Sequence, residues 1–93
     1  MIYLDDAGVT IRNKEHLLIV LQKLEKLGCY WIISSDEPEE LKATQFIPTN
    51  CISLRIINKR LAYSDEWHHF SGNDITEKLD NMITNPYKHV FYD

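Results

Sequence analysis

Apolar positions recur along this chain with two different periods. Between Asn13 and Gly28, Leu17, Val20, Leu21, Leu24 and Leu27 fall on one helical face, and Leu18 and Ile19 widen it. Lys14, Glu15, Gln22, Lys23, Glu25 and Lys26 take the polar side. With Asn13 as N-cap and Gly28 just past the end, the spacing predicts a helix over 14–27. Upstream, residues 2–4 and 9–11 are short apolar segments predicted as strands. A turn at 5–8 splits them, since Asp favours turn starts and Gly supplies positive φ. Residues 29–33 are apolar on both faces, the pattern of a central strand.

Asp36 followed by Glu39 has capping-box character, with Pro38 tolerated in a first turn, and predicts a short helix over 37–43. A hairpin then turns at Asn58 and Lys59, pairing Ile56 with Leu61 and Leu54 with Tyr63 on one face, with Arg55 and Ala62 on the other. After a polar, aromatic loop over 65–73, Asp74 and Glu77 form a second capping-box pair. Ile75, Leu79, Met82 and Ile83 carry a helix over 75–84, which Asn85 and Pro86 stop. The apolar tail at 89–92 is expected to dock as an edge strand. The sum is an α+β fold: a small, mostly antiparallel sheet with two helices packed on one face.

A length of 93 residues is that of one domain, spanning 1–93 without a linker or repeat. Apolar residues make up 44% and charged residues 26%, a globular profile that excludes a disordered chain. No apolar run reaches the roughly 18–20 residues of a membrane span. The start carries neither the basic nor the apolar region of a secretion signal, so a cytoplasmic protein that does not engage membranes is expected. Cys29 and Cys51 lie apart within apolar stretches and are read as reduced, buried thiols.

The net charge of -4 argues against a plain phosphate-backbone binder, but its distribution says more. Asp36, Glu37, Glu39 and Glu40 put four acids into five residues. Asp65, Glu66, Asp74 and Glu77 follow in a stretch from 61 to 77 that has no Lys or Arg. Bases gather elsewhere, as Arg12, Lys14, Lys23 and Lys26 around the first helix and Arg55, Lys59 and Arg60 at the hairpin. If the acidic segments meet, one side of the domain carries a negative field able to steer a basic partner; the plainer reading is capping residues and solvated loops that are acidic by local need. Trp67, His68 and His69 beside those acids read either as a simple loop or as an aromatic anchor of a recognition surface.

Signals for chemistry are weak. Asp5 and Asp6 could begin a metal site at a strand end, yet no third ligand is identifiable and turn residues are the simpler reading. His68 and His69 are neighbours, which seldom converge on one ion. Neither cysteine has a base or cation beside it in sequence to hold a thiolate. With three glycines and no Walker, GxSxG or HExxH pattern, no enzyme, cofactor or metal is expected.

Residues 21–38, LQKLEKLGCYWIISSDEP, followed by CISLRIINKRLAYS, resemble small hypothetical proteins carried by bacteriophages and prophages of Firmicutes. Those show a helix ending L-x-x-L-G-Y-x-W, a Pro-containing loop and a hairpin I-x-I-x-x-x-x-I-x-Y; here Cys29 stands before Tyr30, and Ser34-Ser35 replaces a glycine. The resemblance implies a small inhibitor of the anti-CRISPR or anti-restriction class. Its partner would be a host protein, such as a Cas nuclease or another nucleic-acid-binding effector, met through Asp36, Glu37, Glu39, Glu40, Asp65, Glu66, Trp67, His68 and His69. Two alternatives are a nucleic-acid-binding module built on Arg55, Lys59 and Arg60, and a metal-dependent hydrolase built on Asp5, Asp6 and the His pair. An open sheet edge at the hairpin or the tail would allow a homodimer.

Overall fold

Strand alternation and the helical stripe meet in a single sheet backed by a helix. The structure, a computed structural model, describes residues 2–33, 36, 38–66 and 73–82. Its elements in chain order are β1 (Ala7–Thr10), α1 (Lys14–Lys26), β2 (Tyr30–Ile32), β3 (Glu40–Lys42), a 3-10 turn (Ala43–Gln45), β4 (Ser53–Ile57), β5 (Arg60–Ser64), β6 (Asn73–Asp74) and α2 (Thr76–Asn81). The strands form one six-stranded sheet in the order β3-β2-β5-β4-β1-β6. The fold is α+β, as the sequence pattern indicates. The sheet is mixed, however, and not mostly antiparallel: β1 runs parallel to β6 and β2 parallel to β5, while the other three pairs are antiparallel.

The β4–β5 hairpin has the expected register, with Ile56 opposite Leu61, Arg55 opposite Ala62 and Leu54 opposite Tyr63. Its two-residue turn places Asn58 at φ 51° and Lys59 at φ 70°, the pair of positive angles that a type I′ turn requires. β1 then pairs Ala7 with Ile56 and Val9 with Leu54, so Ala7, Val9, Leu54, Ile56 and Leu61 share one buried face.

Helix α1 covers that face. Asn13 Oδ1 accepts a 2.8 Å bond from the His16 amide, and Gly28 follows the helix at φ 89°, so both ends are closed as their residue types dictate. Leu17, Val20, Leu21 and Leu24 are buried, each contributing about 1.5–3 kcal/mol of transfer free energy as an upper bound. The stripe is narrower on one flank than the sequence suggests, because Ile19 is 48% exposed. On the other flank it includes two polar residues. His16 and Lys23 are buried, and Lys23 extends its ammonium 2.7 Å to the Leu79 carbonyl, near the end of α2.

Several elements differ from expectation. Residues 2–4 are not a strand, and the first turn is confined to Asp5 and Asp6; pairing with β4 draws Ala7 and Gly8 into β1. The helix expected over 37–43 is not formed by its described residues, 38–43. Glu40, Leu41 and Lys42 pair instead with Ile32, Trp31 and Tyr30, and the chain then tightens into the 3-10 turn. Long-range contacts fix this choice. Trp31 Nε1 donates 3.0 Å to the buried Ala43 carbonyl, and Glu25 on α1 accepts from both the Thr44 amide and its hydroxyl, at 3.1 and 2.5 Å. Those bonds also hold the Glu25 carboxyl below its ordinary pKa.

Helix α2 spans Thr76–Asn81, shorter than 75–84 within the described residues. Asp74 accepts from the Thr76 amide and hydroxyl, while Ile75 and Leu79 are fully buried. Asn73 and Asp74, expected as loop and cap, form the two-residue strand β6 beside β1. The docked tail at 89–92 lies outside the described residues. No helix among those described is long and apolar enough to cross a membrane. Because Leu21 is fully buried in the hydrophobic core, Leu21→Ala is expected to cost about 2–5 kcal/mol in urea unfolding, with the slope of the transition unchanged.

Candidate functional site: an acidic sheet end and an open seam

Strand directions decide which charged segments share an end of the sheet. β2 and β5 run parallel, so their C-terminal ends lie together. Beyond β2, the Ile33 amide bonds the Glu39 carbonyl, and Glu40 opens β3 opposite Ile32. Beyond β5, the Glu66 amide bonds the Ser64 hydroxyl at 3.0 Å, and the Glu66 carbonyl accepts from the Ser53 hydroxyl at 3.1 Å. Glu39 and Glu40 therefore sit at the same end of the sheet as Asp65 and Glu66, separated by β2 and the β2–β5 seam. All four are exposed, as is Asp36. None of these five carboxylates forms an ion pair among the described residues. Glu37, Trp67, His68 and His69 lie outside the described residues.

The bases that the sequence sets apart are divided between the ends: Arg12 and Lys14 follow β1 at the acidic end, Arg12 paired with Asp80, whereas Lys26, Lys59 and Arg60 lie at the opposite end. Lys59 and Arg60 are at the hairpin turn, Lys26 closes α1, and Lys42 pairs opposite Tyr30. Lys59 also packs close to Gly28, its ammonium about 3.5 Å from where a Cβ would stand. Arg55 lies on the outer face and pairs with Asp6 at 2.6 Å, so it is not a free cation for phosphate. Both partners are largely exposed, and such a pair contributes about 0–1 kcal/mol. Asp5 and Asp6 occupy a tight turn, with Asp6 at φ 54° and turned to Arg55. Among the described residues, no group of three or more His, Cys, Asp or Glu is placed to hold a metal ion.

The β2–β5 seam is the second feature. Its ladder consists of one register pair, Tyr30 with Arg60, after which no further pair forms. A cleft of about 770 Å³ lies there, lined by Trp31, Phe46, Leu61 and Tyr63 from the helix side and by Ile32, Arg55, Ile57, Arg60 and Ala62 from the outer side, with Ile33 at its end. Trp31 stands edge-on to Phe46 and Tyr63, with centroids at 5.1 and 5.9 Å, and forms an aromatic wall fixed by its bond to Ala43. Comparison with known proteins adds nothing to this geometry: no protein-family model, no curated protein and no solved structure matches the chain.

Sequence reasoning missed a third cluster. His16 Nδ1 accepts a 3.0 Å bond from the Arg12 amide, which assigns its proton to Nε2, and Nε2 lies 3.0 Å from Asp80 Oδ1. Arg12 holds the other Asp80 oxygen at 2.9 Å. The Asp80 carboxyl is held below its ordinary range, first by the Arg12 bond and also by His16, against a small opposing effect of burial. This cluster ties α2 to the start of α1. The thiols lack any such activation: burial pushes Cys29 and Cys51 each up to about 11, more than the nearby Lys59 charge lowers the first or the hydrogen bonds lower the second.

Two measurements check these environments. The lowered Asp80 value means that its stabilising contribution is complete above its ordinary pKa of 3.8 and is lost as pH falls through the lower folded value. Thermal unfolding of the parent should therefore weaken more steeply below about pH 4 than that of Asp80→Asn. A disulfide reagent at pH 8 should titrate both thiols at least about tenfold more slowly in the folded protein than in urea.

Proposed function

We propose that this protein is a binding module that engages a basic protein surface through the acidic end of its sheet, as a small inhibitor of a host defence effector. The observation that carries the reading is the parallel β2–β5 pairing, which brings Glu39 and Glu40 to the same end as Asp65 and Glu66; neither these four nor Asp36 form an ion pair among the described residues. Unpaired carboxylates on a rigid sheet end steer a positive partner and favour one docking orientation. A nucleic-acid-binding channel is a surface of that kind, lined with Lys and Arg to receive phosphates. Occupying it would exclude the nucleic acid by competition, which requires no chemistry from the inhibitor. The resemblance of residues 21–38 and the following hairpin to phage proteins points to Cas nucleases and restriction enzymes as the effectors to test.

The nucleic-acid-binding reading has less support, because Arg55 is held by Asp6 and the bases at the hairpin end are interleaved with Asp5 and Asp6. The metal-dependent reading rests on the same two aspartates, one of which is already paired with an arginine, and on His68 and His69, which lie outside the described residues.

The test is size-exclusion and surface-binding assays of the purified protein against Cas and restriction nucleases, with and without their nucleic acid. Complex formation should compete with nucleic acid, and its association rate should fall steeply with salt. The Glu39→Lys/Glu40→Lys double variant should weaken binding by at least about tenfold. Its unfolding midpoint should move by only a few degrees, since exposed substitutions change stability by about 0.5 kcal/mol or less. Unaltered affinity in that variant rejects the acidic end as the interface, and failure to bind any effector of this type rejects the inhibitor reading.

A further inference from the structure

The cleft at the β2–β5 seam has the composition of a ligand site that is separate from the acidic end. Its volume of about 770 Å³ falls in the range of small-molecule pockets, and its lining is apolar and aromatic except for two guanidiniums. Among the described residues, no carboxylate lines it. The two arginines are not equivalent. Arg55 is neutralised by Asp6 at 2.6 Å, whereas Arg60 has no hydrogen-bond or ion-pair partner among the described residues. Arg60 also stands at the one register pair that closes the seam, opposite Tyr30.

We infer that the seam binds a small amphipathic organic anion, a carboxylate or sulfonate carried on a flat apolar body. The charged head would meet Arg60 at the closed end, and the body would lie against Trp31, Phe46 and Tyr63. Charge complementarity fixes both the sign and the direction. Among the described residues, the charged groups of the lining are the two arginines, while the far end of the seam opens toward Glu39, Glu40, Asp65 and Glu66, which repel an anion bound the other way round. The aromatic wall supplies apolar area and a geometry already fixed by the Trp31–Ala43 bond, so little ordering cost falls on binding.

A matched pair of fluorescent probes tests this on the full chain: anilinonaphthalenesulfonate and its uncharged core, phenylnaphthylamine. The folded protein should bind one equivalent of the sulfonate about tenfold more tightly than the neutral probe, the increment of one charge-assisted contact. Arg60→Ala should remove most of that preference while leaving neutral-probe affinity unchanged. Ala62→Trp, at an exposed position lining the cleft, should block both probes. Near-ultraviolet circular dichroism of each variant shows whether it keeps its native packing, so lost binding in a folded variant is distinguished from unfolding. Equal affinity for the two probes, a preference that survives in Arg60→Ala, unaltered binding in Ala62→Trp, or no binding by the parent because the chain's own residues fill the seam would each overturn the assignment.

Discussion

The register of the β4–β5 hairpin is the constraint on which the rest of the structure depends. Asn58 and Lys59 both take positive φ, so two residues suffice to reverse the chain, and a slip by one residue would carry Leu54, Ile56 and Leu61 to the wrong face. With the hairpin fixed, β1 can add beside β4 only where Ala7 and Val9 join that face, and α1 has one surface on which to lay its leucines. β5 then presents its free side to β2, which must run parallel to it because α1 returns the chain to the hairpin end. The direction of β2 in turn decides where the acids of residues 36–40 emerge. A local turn thus sets a global charge distribution.

What was legible in the sequence follows from how far each signal reaches. The leucine period of α1 and the alternation in the hairpin are local, and both elements stand where the pattern places them. Residues 37–43 show the reverse case. The acids and Pro38 fit a helix start, but strand pairing with Trp31 and anchoring at Ala43 outweigh that local preference. β6 has two residues, too few for any periodicity to register. The candidate site was legible as composition only: four acids in five residues are visible in the sequence, whereas their alignment with Asp65 and Glu66 is a property of strand direction. The seam left no trace in the sequence, because a missing ladder pair has no residue signature.

Lys23 and His16 illustrate another limit. Both are polar and sit on a helix whose pattern assigns polar residues to solvent, yet both are buried and link α1 to α2. Each is satisfied: the ammonium caps a carbonyl of α2, and the imidazole bridges a backbone amide and a carboxylate. Among the described residues no buried side-chain nitrogen or oxygen lacks a partner. Polar residues thus fasten α2 where its six residues offer too little apolar surface to hold by packing alone.

The single rung between β2 and β5 also shapes how the molecule responds to stress. Backbone hydrogen bonding divides the sheet into a two-stranded ribbon, β3–β2, and a four-stranded unit, β5-β4-β1-β6. What couples them is mainly side-chain contact: Trp31 against Phe46 and Tyr63, and Glu25 holding Thr44 to the helix. The Tyr30 amide, which donates across that single rung to the Lys59 carbonyl, forms the backbone bond whose hydrogen exchange reports separation of the two parts.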